Sequence, residues 1–360
     1  MKRKKIILFL AIILIFIFVG IPTIKRETKE FQKRVYKKKL LESSNFNSKN
    51  QIGFENLPYF SSEPIPGPKT DITFFKGSYI ILQYPIDIPL KKAKEIGANS
   101  VSIVVDFDLL KRGREYWSER KYEIINAINL AHKLGLIVQL SGGFYIVEKN
   151  ITHYIKSYEE YKEAYIVSVV ELAKIANEYL VERFEVSREI DVVTSRFVEY
   201  EGWVEHWDCW EHKKFVKLIE EFAHKLFIEV KKYYNGKIGI GFCEPKKYVK
   251  LPDYDFIGIT VYSGGEPYNM ARNAIKYIYN ARKHTGDFNR IKELVLGEVA
   301  IGWLDEGIEL NSEQKKKIYN EFFYATNHLI DGYFVFIDFP HPDEELKVIA
   351  KERYYCNVVI

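Results

Sequence analysis

Cysteine is scarce and badly spaced for structural use. Cys209, Cys243 and Cys356 are the only three in 360 residues. An odd number at such distances forms no disulfide framework and no metal-ligand spacing. Methionine numbers two and histidine eight. The His-x-His pattern that metal-dependent amidohydrolases carry after a first strand is missing, so no metal is expected. Phosphate loops are missing too. GSYI (77–80) and SGGF (141–144) lack the glycine spacing of dinucleotide and P-loop sites. No lysine stands at the end of an apolar run for Schiff-base chemistry. The chain is therefore expected to work without a cofactor.

A basic surplus is confined to one end. Residues 1–50 hold 13 Lys/Arg against 3 Asp/Glu, and the remainder holds 40 against 46. The body is thus mildly acidic, which argues against a nucleic-acid-binding surface. Hydrophobic residues make up 47% of the chain, with 26 Tyr and 24 Phe. That suits one large globular domain with an appendage. The abundance of Lys, Glu and Ile beside so little Cys and Met is a bias that accompanies heat adaptation.

The appendage is read from MKRKK, which is followed by an uncharged run from Ile6 to Pro22. Seventeen residues of helix reach roughly 25 Å, enough to cross a hydrocarbon core. A secretory signal peptide would have a shorter apolar region and a small-residue cleavage site, and no such site follows. The expectation is an uncleaved single-pass membrane anchor over 1–24, with the remaining domain outside the cell. Positive flanks on both sides (Lys2 to Lys5, then Lys25, Arg26, Lys29, Lys33 and Arg34) leave the orientation open. Residues 25–70 read as a basic helix and then a Ser/Asn/Gly/Pro-punctuated linker.

From 71 to 360 short apolar runs alternate with helical stretches. The runs are YIILQYP (79–85), SVSIVVDF (100–107), LIVQLSGG (136–143), ERFEVS (182–187), KIGIGF (237–242), DFIGITVY (255–262), ELVLGE (293–298) and GYFVFIDF (332–339). Amphipathic segments such as KYEIINAINLAHKLG stop at a glycine, here Gly135. Eight such runs imply parallel strands buried on both faces, in a closed (β/α)8 barrel or a doubly wound open sheet. The count of eight and the length favour the barrel.

In such a barrel the chemistry lies where the strands end. Polar residues there include Gln83, Tyr84, Asp106, Asp108, Ser141, Arg188, Glu189, Glu244, Tyr262, Glu298, Asp338 and His341. Two apolar runs each deliver a glutamate: FEVSREID (184–191) carries Glu189, and LGEVAIGW (296–303) carries Glu298. In that order and at those strands, the two segments resemble the acid/base and nucleophile motifs of the clan A glycoside hydrolases. DYDFIGITVY (253–262), IGANSVSIVV (96–105) and GYFVFIDF (332–339) resemble the strand-six, strand-two and strand-eight segments of that clan. The resemblance spans about residues 78–350. It implies a barrel of the β-mannanase and β-glycanase type, acting on β-linked carbohydrate. Glu298 would be the nucleophile, Glu189 the acid/base and Tyr262 a contact of Glu298. Two carboxyl groups facing each other across one substrate site are what glycosidic cleavage requires.

The sequence departs from the clan at two places. Arg188 stands where the clan has an asparagine that binds the sugar. Phe336 or Phe339 stands where a tryptophan floors the site. Arg188 could hold an acidic sugar, or Arg188 and Glu189 could be a structural ion pair. Glu244 and Asp338 are further candidates to touch substrate, although Glu244 could simply cap a turn. Trp203 and Trp207, in EGWVEHWDCWEH, suit stacking on sugar faces or packing under a long loop. A rival reading keeps the barrel without catalysis, as a carbohydrate-binding or surface-scaffold protein.

Overall fold

The alternation of runs and helices closes on itself. In the computed structural model, eight parallel strands form a closed barrel in chain order. They are β1 (Phe75–Ile81), β2 (Ser100–Asp106), β3 (Ile137–Gly143), β4 (Arg183–Glu185), β5 (Lys237–Phe242), β6 (Phe256–Tyr262), β7 (Glu293–Ala300) and β8 (Gly332–Phe336). Helices α1 (Asp87–Glu95), α2 (Arg114–Lys133), α3 (Tyr158–Glu178) and α4 (Lys213–Lys231) follow the first four strands. The pairing of Gly77 in β1 with Phe334 in β8 decides against an open sheet.

The structure describes residues 63–68, 74–82, 86–107, 114–143, 157–192, 194–195, 213–243, 249–251, 254–262, 278, 293–300, 323, 326 and 328–336. The run Ile6–Pro22 lies outside them. Among the described residues no helix is long and apolar enough to cross a membrane. By their contacts, residues 61–360 form one compact unit, which holds the barrel.

Strand periodicity sorts the side chains into two cores. Phe75, Tyr79, Val104, Ile137, Val295 and Phe334 fill the barrel interior. Ile80, Ile103, Leu140, Phe184, Ile240 and Leu296 belong to the larger core that includes the helices. Between α3 and α4, Tyr161 and Tyr165 meet the edge of Phe222, with ring centroids 6.0 and 5.7 Å apart. Each such edge-to-face pair adds about 0.5–1.5 kcal/mol beyond the area it buries.

Three helices end alike. After α1 and α2 the chain turns through the left-handed region at Gly97 (φ 87°) and Gly135 (φ 69°). The backbone bonds Ala98 N to Ala93 O and Leu136 N to Ala131 O, both 3.0 Å, close these turns. After α3 the same position is Leu180, at φ 57°, with Val181 N bonded to Ala176 O at 2.9 Å.

The end of the barrel where the strands begin is closed by charge. Arg183 lies flat between Phe75 and Phe256, its Cζ 4.1 and 4.0 Å from the two ring centroids. Its Nη1 pairs with Glu293 at 2.5 Å, and Lys237 pairs with the same carboxylate. At this end residues 63–68 also dock. The Asn129 amide accepts from Ile65 N and donates to Glu63 O, both at 3.0 Å. The His132 ring lies 2.6 Å from Ile65 O and 3.2 Å from the Glu182 carboxylate. Part of the sequence read as linker is therefore fastened to the barrel, opposite the strand ends that carry the candidate site.

Candidate active site

Strict alternation along β7 would place Glu298 with Leu294 and Leu296, against the helices. A β-bulge prevents this. Ile259 pairs with Leu296, but Thr260 pairs with Glu298, so Gly297 is an extra residue. Bulges of this kind re-aim the side chains that follow them. Here the shift turns Glu298 into the barrel and Val299 back to the helix-facing core. Glu298 is 2% exposed.

What faces it comes from β4. Past Glu185 the chain runs directly over β5: a Cβ on Gly241 would lie 2.2 Å from Arg188 O. Gly241 N donates to Ser187 O at 2.6 Å. This close approach needs the glycine. It delivers Arg188 into the barrel mouth, where Nη2 lies 3.0 Å from Glu298 Oε2. The guanidinium also covers the Tyr79 ring, with Cζ 4.7 Å from the centroid. Glu189 follows directly and is partly buried. Asp191 is buried and accepts from Cys243 N at 3.0 Å, which ties the turn after β4 to the end of β5.

Two further carboxyl groups belong to this cluster. Asp106 ends β2. Burial pushes its carboxyl up to about 6, with Arg120 opposing and Glu298 adding to the rise. Glu185 lies two residues beyond Arg183 on β4 and is 1% exposed. Its Oε2 accepts from Ser141 Oγ at 2.7 Å and from Gln139 Nε2 at 3.5 Å. Burial pushes Glu185 up to about 8; Ser141 and Arg183 pull it down, while Glu298 and Glu189 push it further up. Among the described residues no group of three His, Cys, Asp or Glu is placed to hold a metal ion.

The structure thus brings Glu298 and Arg188 together, with Glu189 adjacent. Tyr262 and Phe336 are described by backbone only. Tyr262 pairs with Ala300, two residues past Glu298, and Phe336 pairs with Tyr79, the residue under Arg188. Trp203, Trp207, Glu244 and Asp338 lie outside the described residues. Glu185 and Tyr79 were missed by reading strand ends, because both sit inside apolar runs. For Glu185 the available signal was the alternation of Arg183 and Glu185 with Phe184 and Val186: one face apolar toward the helices, the other charged.

The chain's sequence matches no protein-family model and no curated protein. Its fold does match solved structures. A family 113 β-mannanase from Alicyclobacillus acidocaldarius superposes with a TM-score of 0.51 at 16% identity, over 74% of this chain and 87% of that one. Cellulose synthase subunit Z of Clostridioides difficile gives 0.54 at 13%, over 77% and 99%. A family 5 glycoside hydrolase of Prevotella bryantii gives 0.57 at 12%, over 82% and 100%. At these identities the likeness is one of fold.

Proposed function

We propose that this chain is a glycoside hydrolase that cleaves β-linked carbohydrate with two carboxyl groups. Glu298 is the nucleophile and Glu189 the acid/base. The observation that carries this reading is the inward bulge of β7. It turns one buried glutamate into the mouth, 3.0 Å from the guanidinium of Arg188, which directly precedes the other in the chain.

The chemistry follows from the surroundings. A nucleophile must be an anion, and a guanidinium 3.0 Å away favours the ionised form of Glu298. A fixed cation at that distance also orients the carboxylate before substrate arrives. Glu189 protonates the departing oxygen, and Glu298 attacks the anomeric carbon. Water then releases the sugar from Glu298, with Glu189 taking a proton from that water. Arg188 is engaged by Glu298 and covers Tyr79, so its charge is already offset. This favours neutral β-linked sugars over uronic acids. Two of the fold neighbours, a β-mannanase and a family 5 glycoside hydrolase, support the same class. The anchor reading of Ile6–Pro22 would hold the domain at a membrane surface, facing outward.

One observation favours the rival reading, a barrel that binds carbohydrate without cutting it. The Arg188–Glu298 pair occupies the carboxylate that would attack. A screen on chromogenic β-glycosides and β-linked polysaccharides separates the two. Turnover that Glu298→Gln reduces by a factor of about 10³ or more, with ligand binding kept, is expected of the hydrolase. Binding by the wild type without turnover on any of them would leave the binding protein.

A further inference from the structure

Glu185 has no place in the two-carboxylate scheme, yet three neighbouring strands are shaped around it. A Cβ on Gly258 of β6 would lie 2.2 Å from Glu185 Oε1, and one on Gly297 of β7 would lie 3.4 Å from it. Ser141 and Gln139 of β3 supply its hydrogen bonds. The glycine that forms the β7 bulge is thus also a wall of this niche. The carboxyl is almost wholly buried, and both donors are neutral. Arg183, on the same strand, is paired with Glu293. Oε1 has no hydrogen-bond partner. An anion in such a place would be uncompensated, and a buried carboxyl meets that cost by keeping its proton.

We propose that Glu185 is a positioning residue, a carboxylic acid stored uncharged in the barrel interior beneath Glu298 and Glu189. Its neutrality leaves Glu298 as the anion that Arg188 holds. This rests on the reading of Glu298 as nucleophile. The groups that act on Glu185 are Arg183 from its own strand, Glu189 from the turn that follows it and Glu298 from β7, with Ser141 bonded from β3. The Tyr165 hydroxyl on α3 also feels its charge. Were Glu185 ionised, it would add a negative charge beside Glu298 and raise the proton affinity of the group that must attack. The upward push on Glu185 to about 8 agrees with the geometry. Because Oε2 already accepts two bonds, Oε1 is the oxygen that carries the proton.

The first test does not depend on turnover. Infrared difference spectra of the full chain, taken between about pH 6 and about pH 9, should show the carbonyl band of a protonated carboxyl disappearing as the pH rises. Glu185→Gln should remove that band. If the variant keeps it, the proposal is overturned whatever the enzyme does. The second test uses kinetics. Glu185→Ala should lower kcat/KM by about tenfold or more, because the niche empties and Glu298 loses its footing. Glu185→Gln, neutral and of the same shape, should return to within about threefold of wild type. A Gln variant as impaired as the Ala variant would overturn the claim that the neutral form is the working one. A wild type that loses the band on titration but turns over no β-glycoside would keep the stored acid and reject the hydrolase.

Discussion

Glu298 and Glu185 share one barrel interior, yet one faces a guanidinium at 3.0 Å and the other only neutral donors. The neighbours separate an anion from an acid, and this has a consequence for stability. The carboxyl of Glu185 moves from an ordinary 4.5 to about 8 on folding. Between those values the folded chain keeps a proton that the unfolded chain has lost. Stability therefore falls as pH rises through this window, at about 1.4 kcal/mol per pH unit, and levels off outside it. Asp106 acts with the same sign between 3.8 and about 6. Denaturant midpoints measured from pH 5 to pH 9 should fall for the wild type, while Glu185→Gln flattens the part between pH 6 and 8. Parallel curves would mean that Glu185 titrates normally.

Elements end and join by local devices, and two of these can be tested. Gly97 and Gly135 occupy left-handed positions that suit glycine, whereas Leu180 occupies the same position with a Cβ and lies 52% exposed. A left-handed non-glycine residue carries about 1–2 kcal/mol of strain, partly offset by the greater chain entropy that glycine loses on folding. Leu180→Gly should therefore stabilise the barrel by about 0.5–1 kcal/mol. A lower melting temperature would show that the Leu180 side chain contributes packing. The second device is the Asn129 amide, which clasps both Glu63 O and Ile65 N. Asn129→Ala removes both bonds, about 2 kcal/mol of local hold and so roughly thirtyfold in the opening of residues 63–68. Hydrogen exchange at the Ile65 amide reads this directly. An unchanged rate would show that the His132 contact alone keeps the segment down.

At the scale of the whole molecule the barrel has two different ends. Glu298, Arg188, Glu189 and Asp106 gather where the strands finish. Arg183, Glu293, His132 and Asn129 gather where they start, and residues 63–68 reach the barrel there. Carbonate extraction of membranes from cells making the full chain tests the anchor: the protein should stay in the pellet, and a version starting at residue 25 should not. Full-length protein in the supernatant would refute anchoring by Ile6–Pro22.

Much of this was legible in the sequence. Runs of four to eight apolar residues, separated by helices that stop at Gly97 and Gly135, carry their periodicity within a short window. Strand count, strand order and the candidacy of Glu189 and Glu298 could be read from them. Three things could not. Which way Glu298 points depends on the register of β7 against β6, where one added glycine reverses the facing of every later residue. The partner of Arg188 lies on a strand more than a hundred residues away and is reached only because Gly241 lets the chain pass close over β5. Glu185, hidden between Phe184 and Val186, gains its proton only when β3, β6 and β7 exclude water from its niche. Local patterning determined the elements of this protein. Closure of the barrel decided which carboxyls are charged, because solvation and pairing are properties of the assembled interior.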